Sequence, residues 1–312
     1  MKNESKTEIK KQKPHSEAFF GEVRDYWWNK DFLELMAKRL ALNKVKDALD
    51  VGSGIGHWGQ LLLPLLASDA KLTGVDREPQ WILRAEDRAR NAGLEKQCAY
   101  QLGDANALPF PDATFDLVTC QTVLIHLQDP KHAIREMIRV LKPGGLLLAA
   151  EPNNLANQMI GGTIVHSVNE VMERVRFHLM CERGKEALGL GNISLGDLVP
   201  GYFAELGLEG IGVYLNDKSN PLFAPYADRE QQSMIKQTEE FVNQDSMGWD
   251  REETRSYFIA GGGTLADFDH HWNLALQDMR KFIAATKNGT YHSAGGGVSY
   301  LISGRKPYPS CI

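Results

Sequence analysis

Residues 46–60 read KDALDVGSGIGHWGQ: a short apolar run carrying Asp50, then Gly52, Gly54 and Gly56 at every second position, then a helical pattern. Glycine has no Cβ and tolerates positive φ, so a strand that enters a helix through such a turn presses its backbone against a ligand. Dinucleotide folds use G-x-G-x-x-G with amides aimed at a pyrophosphate. Here the spacing is G-x-G-x-G, and His57 stands where the sixth-position glycine would be. Asp50 would repel a pyrophosphate, so a ligand with a positive group near the turn suits this strand end better.

The rest of the chain supplies the frame for that turn. Strand-like apolar runs at 47–51, 71–75, 97–102, 115–121 and 145–150 alternate with helical patterns at 57–67, 79–92 and 130–141. That alternation predicts right-handed crossovers and a mostly parallel sheet covered on both faces. Further strands fit 208–215, after a helix at about 195–206, and 297–304. Two helical stretches look like additions near the carboxyl ends of strands, which is the ligand-bearing edge of open α/β sheets. One covers 155–190; the other, 218–294, is expected to form a substrate lid. Within the latter, Thr264 and Asp267 suit a capping box, and Leu265, Phe268, Trp272, Ala275, Met279 and Phe282 fall on one face. Residues 16–44 carry apolar residues at helical spacing and form an expected N-terminal helical cap, preceded by a disordered basic tail at 1–15.

Composition narrows the function classes. A net charge of -5 offers nucleic acid no electrostatic footprint. No apolar run approaches the roughly 20 residues of a membrane span. Cys98, Cys120, Cys181 and Cys311 show no C-x-x-C spacing, which fits reduced thiols in a cytoplasmic protein and no metal site.

More acids end the next strands. LTGVDREP places Asp76 after the second, where a carboxylate can accept from both hydroxyls of a ribose, and QLGDANALPF places Asp104 after the third. Taken with LDVGSGIG, GDANALPFPDATFDLV and REMIRVLKPGGLLLAAEP, the series resembles the class I S-adenosylmethionine-dependent methyltransferases, in particular the small-molecule branch of the ubiquinone-biosynthesis type. The resemblance is strong over about 45–152 and extends by strand order to 208–215 and 297–304. It implies a Rossmann-like sheet of seven strands, mostly parallel with the last antiparallel, helices on both faces, and a core at 45–217 and 295–307.

It also implies S-adenosyl-L-methionine as cofactor and S-adenosyl-L-homocysteine as product. By position, Gly52, Ser53, Gly54 and Gly56 would contact the methionine part, Asp50 would orient its amino group, and Asp76 would bind ribose. Asp104 with Ala105 would read adenine, Arg77 and Ile55 would flank the adenosine, and Gln121 would lie below the sulfonium end. Methyl transfer is an in-line displacement, so the enzyme chiefly holds the acceptor's lone pair behind the methyl carbon, with a general base optional.

His126, five residues past Gln121, is the candidate base; a packing role is the alternative. Tyr26, Trp27, Glu151, Tyr257, His271 and Trp272 are candidate acceptor contacts, each with an alternative role as hydrophobic anchor, loop cap or lid core. His270 and His271 are adjacent, so a helix turns them in different directions and no metal pair is expected. The leading expectation is a small-molecule methyltransferase with a lid-covered pocket, monomeric or homodimeric. A protein or peptide methyltransferase and a cofactor-binding non-catalytic relative are the alternatives. The fourth strand ends CQTVL, without the N/D-P-P-Y-like signature or Pro-Cys nucleophile of nucleic-acid methylation.

Overall fold

The computed structural model describes residues 20–309. The expected tail at 1–15, the first residues of the N-terminal cap and Cys311 lie outside them. The sheet has seven strands: β1 (Asp47–Val51), β2 (Lys71–Asp76), β3 (Cys98–Leu102), β4 (Phe115–Gln121), β5 (Leu141–Pro152), β6 (Glu209–Leu215) and β7 (Ser299–Arg305). Their order is β3-β2-β1-β4-β5-β7-β6, and β7 runs antiparallel to both neighbours. The remaining neighbours are parallel, as the βαβ alternation predicts. Strand order reverses between β1 and β4, and the glycine turn leaves β1 at that switch point.

Two apolar layers sandwich the sheet. One packs α4 (Pro130–Val140) and α6 (Val199–Glu205) through Ile134, Met137 and Phe203. The other packs α1 (Lys30–Leu40) and α2 (His57–Leu62) through Phe32, Met36 and Trp58. α3 (Pro79–Asn91) joins β2 to β3.

Local chemistry shifts several boundaries. α2 ends at Leu62 and the chain continues as a 3-10 turn over Leu63–Leu65, because Pro64 has no amide to continue the helix. β5 begins at Leu141 rather than near 145: the Pro-Gly-Gly stretch stays in the strand as an irregularity, with Gly144 at φ 76°. In the N-terminal cap, Glu22–Tyr26 form a 3-10 turn ahead of α1.

The two additions, far apart in sequence, make one helical layer. α5 (Val168–Ala187) comes from the first; α7 (Arg229–Asn243), α8 (Arg251–Ala260) and α9 (Leu265–Lys287) come from the second. Phe177 and Cys181 of α5 share a core with Tyr257 and Phe258 of α8 and with Phe268, Trp272 and Leu276 of α9. α9 starts where expected, with the Thr264 hydroxyl accepting from the Asp267 amide at 3.2 Å. Its buried face differs from the expected one: Leu265 is exposed and Leu276 takes part instead. α5 and α8 cross backbone to backbone, since a Cβ on Gly184 would run into the Tyr257 carbonyl, and one on Gly261 into that of Met180.

Candidate functional site

Gly52, Gly54 and Gly56 have φ of 65°, 51° and 82°, left-handed values that a side chain would strain. The turn is tied to β2: the Ser53 amide donates to the Val75 carbonyl at 2.9 Å, and the Gly54 amide to Asp76 Oδ2 at 2.8 Å. Asp76 Oδ1 accepts from the Glu78 amide at 3.0 Å. Burial raises the Asp76 pKa against the pull of those amides.

Asp50 is buried beneath the turn, its Oδ2 accepting from the Gly59 amide at 3.0 Å. Burial pushes its pKa up to about 7, with the Gly59 amide and the Arg24 charge opposing. Asp50 Oδ1, Ser53 Oγ, His57 Nε2 and Arg24 Nε are buried and have no hydrogen-bond partner among the described residues. The end of β1, its turn and the N-terminal Arg24 thus carry buried polar atoms of both kinds, acceptors and donors, that a polar ligand or water would satisfy.

Arg24 is a member of this site that sequence reasoning missed. It reaches over the switch point so that Nη2 lies 3.4 Å from Gln121 Oε1 and 3.3 Å from Thr122 Oγ1, with its guanidinium 4.6 Å from the Trp27 ring centre. Burial lowers its pKa to about 10. Neighbouring Asp25 pins the segment down, contacting His57 Nδ1 at 2.9 Å and Arg88 Nη2 at 2.8 Å. Phe20 packs edge-on against Trp81 at 4.8 Å and lies over Gly54, where an added Cβ would come within 2.9 Å of its ring.

The adenosine-side candidates spread along the same edge. Asp104 is exposed, its Oδ1 accepting from the Asn106 amide at 2.8 Å; Arg77 is exposed, Ala105 half-buried and Ile55 buried.

Beyond Gln121 a cavity of about 380 Å³ opens between the sheet edge and the helical layer. Its lining includes Arg24, Trp27, Gln121 and Thr122, His126, Lys185 and Tyr257, and Asn154, Asn157 and Trp249. Lys185 is 4 % exposed; its Nζ lies 3.3 Å from His126 Nδ1 and 3.3 Å from the Ile125 carbonyl oxygen. Burial lowers the Lys185 pKa to about 8 and that of His178, on the same helix, to about 4. Glu182, whose pKa burial raises, takes the Ser194 hydroxyl. No local pattern flags these groups, because Lys, Glu and His on a helix usually mark a solvated face.

Four expected acceptor contacts do not line this cavity. Glu151 is fully buried and accepts from the Val123 and Leu124 amides, each at 2.9 Å, so it caps the turn after β4. Trp272 fills the core of the helical layer at 1 % exposure. His271 stacks toward Phe177 and lines a second cavity of about 260 Å³. Tyr26 is half-buried on the N-terminal turn. The adjacent histidines do converge with one acid: ligand atoms of Glu173, His270 and His271 lie within 4.8 Å of one another, Glu173 being on α5 and the histidines on α9. No helix among the described residues is long and apolar enough to cross a membrane.

Comparison with known proteins gives the family. The chain is 37% identical over 112 residues to 27-O-demethylrifamycin SV methyltransferase of Amycolatopsis mediterranei, covering 36% of this chain and 40% of that protein. It is 30% identical over 137 residues to the ubiquinone/menaquinone biosynthesis C-methyltransferase UbiE of Cronobacter sakazakii, covering 44% and 51%. The chain thus matches only about half, or less, of the length of these two relatives. In fold it is similar to a candidate methyltransferase from Bacillus halodurans C-125, with a TM-score of 0.50, 19% identity and coverage of 89% of this chain and 100% of that one. The family model described as "Methyltransferase domain" matches residues 42–204, more than half of the 312 residues and the whole stretch from β1 through α6 to within one residue, so the chain belongs to the methyltransferase-domain family.

Proposed function

We propose that the protein transfers a methyl group from S-adenosyl-L-methionine to a small-molecule acceptor held in the cavity between β4 and the helical layer. The observation that carries this reading is the set of buried, unpartnered polar atoms at the glycine turn. An amino-acid end needs both signs: Asp50 Oδ1 suits its ammonium, and Arg24 and Ser53 suit its carboxylate. Asp76 suits the ribose hydroxyls while it holds Gly54, and Asp104 and Ala105 stand on the adenine side. Bound there, the sulfonium supplies an electrophilic methyl group.

The chain's own contribution is position and dryness. Gln121 and Thr122, fixed by Arg24, border the junction between cofactor turn and cavity. The helical layer, including the insertion at 218–294, roofs the acceptor and excludes water, which strengthens every electrostatic interaction beneath it. Free Cys98, Cys120 and Cys181 fit a reducing, cytoplasmic setting. Calorimetry with S-adenosylmethionine, its demethylated product and a nicotinamide dinucleotide tests the reading. Heat from the adenosyl compounds alone supports it, and tight binding of the dinucleotide alone overturns it. Incubating protein, labelled cofactor and cell extract then reveals the acceptor, while binding without any turnover leaves the non-catalytic alternative.

A further inference from the structure

We infer that Lys185, paired with His126, accepts the proton of the methyl acceptor, and that this acceptor carries an acidic hydroxyl on an aromatic or enolic carbon. The inference rests on the methyltransferase reading above and adds a substrate class and a catalytic residue to it.

The pair is built rather than incidental. His126 closes the 3-10 turn Leu124–His126 that follows β4, and Glu151 holds that turn from below through the Val123 and Leu124 amides. Lys185 comes from α5, and the chain after α5 approaches the same turn so closely that a Cβ on Gly191, at φ 90°, would run into the Ile125 carbonyl. Both side chains line the cavity that begins at Gln121. Nζ and Nδ1, 3.3 Å apart, share a proton whichever group holds it.

The charges around the cavity choose the acceptor. Arg24, Lys185 and Lys218 face it, of which Lys218 is paired with Glu230 at 2.8 Å. Glu182, on the same helix as Lys185, is engaged by the Ser194 hydroxyl, and His178 stays neutral near pH 7. Glu253 of α8 and Glu182 raise the Lys185 pKa against burial, and Cys181 and Tyr257 nearby have their own pKa values pushed up by burial. With Lys218 paired and Arg24 turned to the cofactor end, Lys185 is, among the described residues, the cation left to the acceptor; once protonated it stabilises an oxyanion beside it, and Trp27, Trp249 and Tyr257 line the same cavity with rings. With its pKa at about 8, Lys185 exchanges a proton near neutrality.

The step balances. The acceptor hydroxyl gives its proton to the neutral Lys185 amine, and the oxygen lone pair forms the new bond to the methyl carbon. The carbon–sulfur bond of the donor breaks with its electron pair left on sulfur, now a neutral thioether. The Lys185 ammonium afterwards releases the proton to solvent, and His126 positions Nζ.

Para-nitrophenol, whose anion is coloured, tests this with the full chain and S-adenosylhomocysteine. The bound probe should ionise about one pH unit lower than the free probe, a tenfold shift. Lys185→Met should abolish the shift and the pH-dependent limb of turnover near pH 8 while leaving homocysteine-product affinity unchanged. Lys185→Arg should keep the shift and lose turnover by about a hundredfold or more. His126→Asn should move that limb without removing it. The inference is overturned if the wild-type probe shows no shift, if Lys185→Met keeps the full pH profile, or if amines or carboxylic acids rather than phenols take label from the methyl donor. Absence of S-adenosylhomocysteine binding by the wild type would instead remove the methyltransferase reading, and a probe shift lost in Lys185→Met would then still establish the proton-accepting pair.

Discussion

The Gly54 amide donates to Asp76 Oδ2 at 2.8 Å, so the glycine turn after β1 and the acid that ends β2 are one unit. The carboxylate proposed to receive the ribose thus holds the backbone proposed to receive the methionine part. Asp76→Ala should therefore weaken S-adenosylhomocysteine binding by about 2 kcal/mol, roughly thirtyfold. Calorimetry measures this, and circular dichroism should report a folded sheet. An unchanged dissociation constant would remove Asp76 from the site.

The role proposed for Arg24, at the amino-acid end of the cofactor, can be tested separately from the adenosine end. Arg24→Met should weaken S-adenosylhomocysteine about tenfold or more, because a charge-assisted bond to the carboxylate is lost. The same variant should bind methylthioadenosine, which lacks the amino-acid end, as the wild type does. Equal losses for both compounds would show that Arg24 serves only to hold the N-terminal segment.

Asp50 sets a pH dependence with a definite sign. Its pKa is raised by burial to about 7, well above the ordinary carboxylate value, so between about pH 4 and 7 the folded protein binds more protons than the unfolded chain. Stability from this group is thus greatest at the acid end of that window and declines as pH rises through it. Glu151, also raised by burial to about 7, adds in the same direction. Ligand binding runs the other way, because an ammonium beside Asp50 favours the ionised form and expels a proton. Affinity for S-adenosylhomocysteine should rise toward pH 7, with proton release visible as buffer-dependent heat. Asp50→Asn should abolish that dependence, and a wild-type affinity flat with pH would contradict it.

At Gly184 the backbones of the two helical additions come close together. Gly184→Ala places a methyl against the Tyr257 carbonyl and should destabilise the helical layer by about 1–3 kcal/mol. Thermal unfolding measures the loss. Cofactor affinity should stay within about twofold, since Gly184 meets Tyr257 and Gly261 of the helical layer and none of the glycine-turn residues. A variant as stable as the wild type would mean that the crossing relaxes freely.

What the sequence determined was whatever short-range physics writes into a local pattern. Left-handed φ at Gly52, Gly54 and Gly56 demands glycine, so the turn was legible, and short apolar runs alternating with helical patterns marked the strands to within a few residues. The acids at strand ends followed, because strand ends of a parallel sheet share an edge. The N-cap at Thr264 was equally local. Tertiary structure alone decided which distant groups meet. Arg24 reaches Thr122 across 98 positions, and Lys185 reaches His126 across 59. Neither residue type distinguishes a buried partner from a solvated neighbour until the chain has closed around it. The same reason moved Glu151 from the acceptor wall to a backbone cap, and Trp272 from the pocket to the core of the helical layer. Hydrophobic periodicity tells that a face must be buried, but the partner that buries it, here α5 against α8 and α9, comes from a separate segment that only the fold brings alongside.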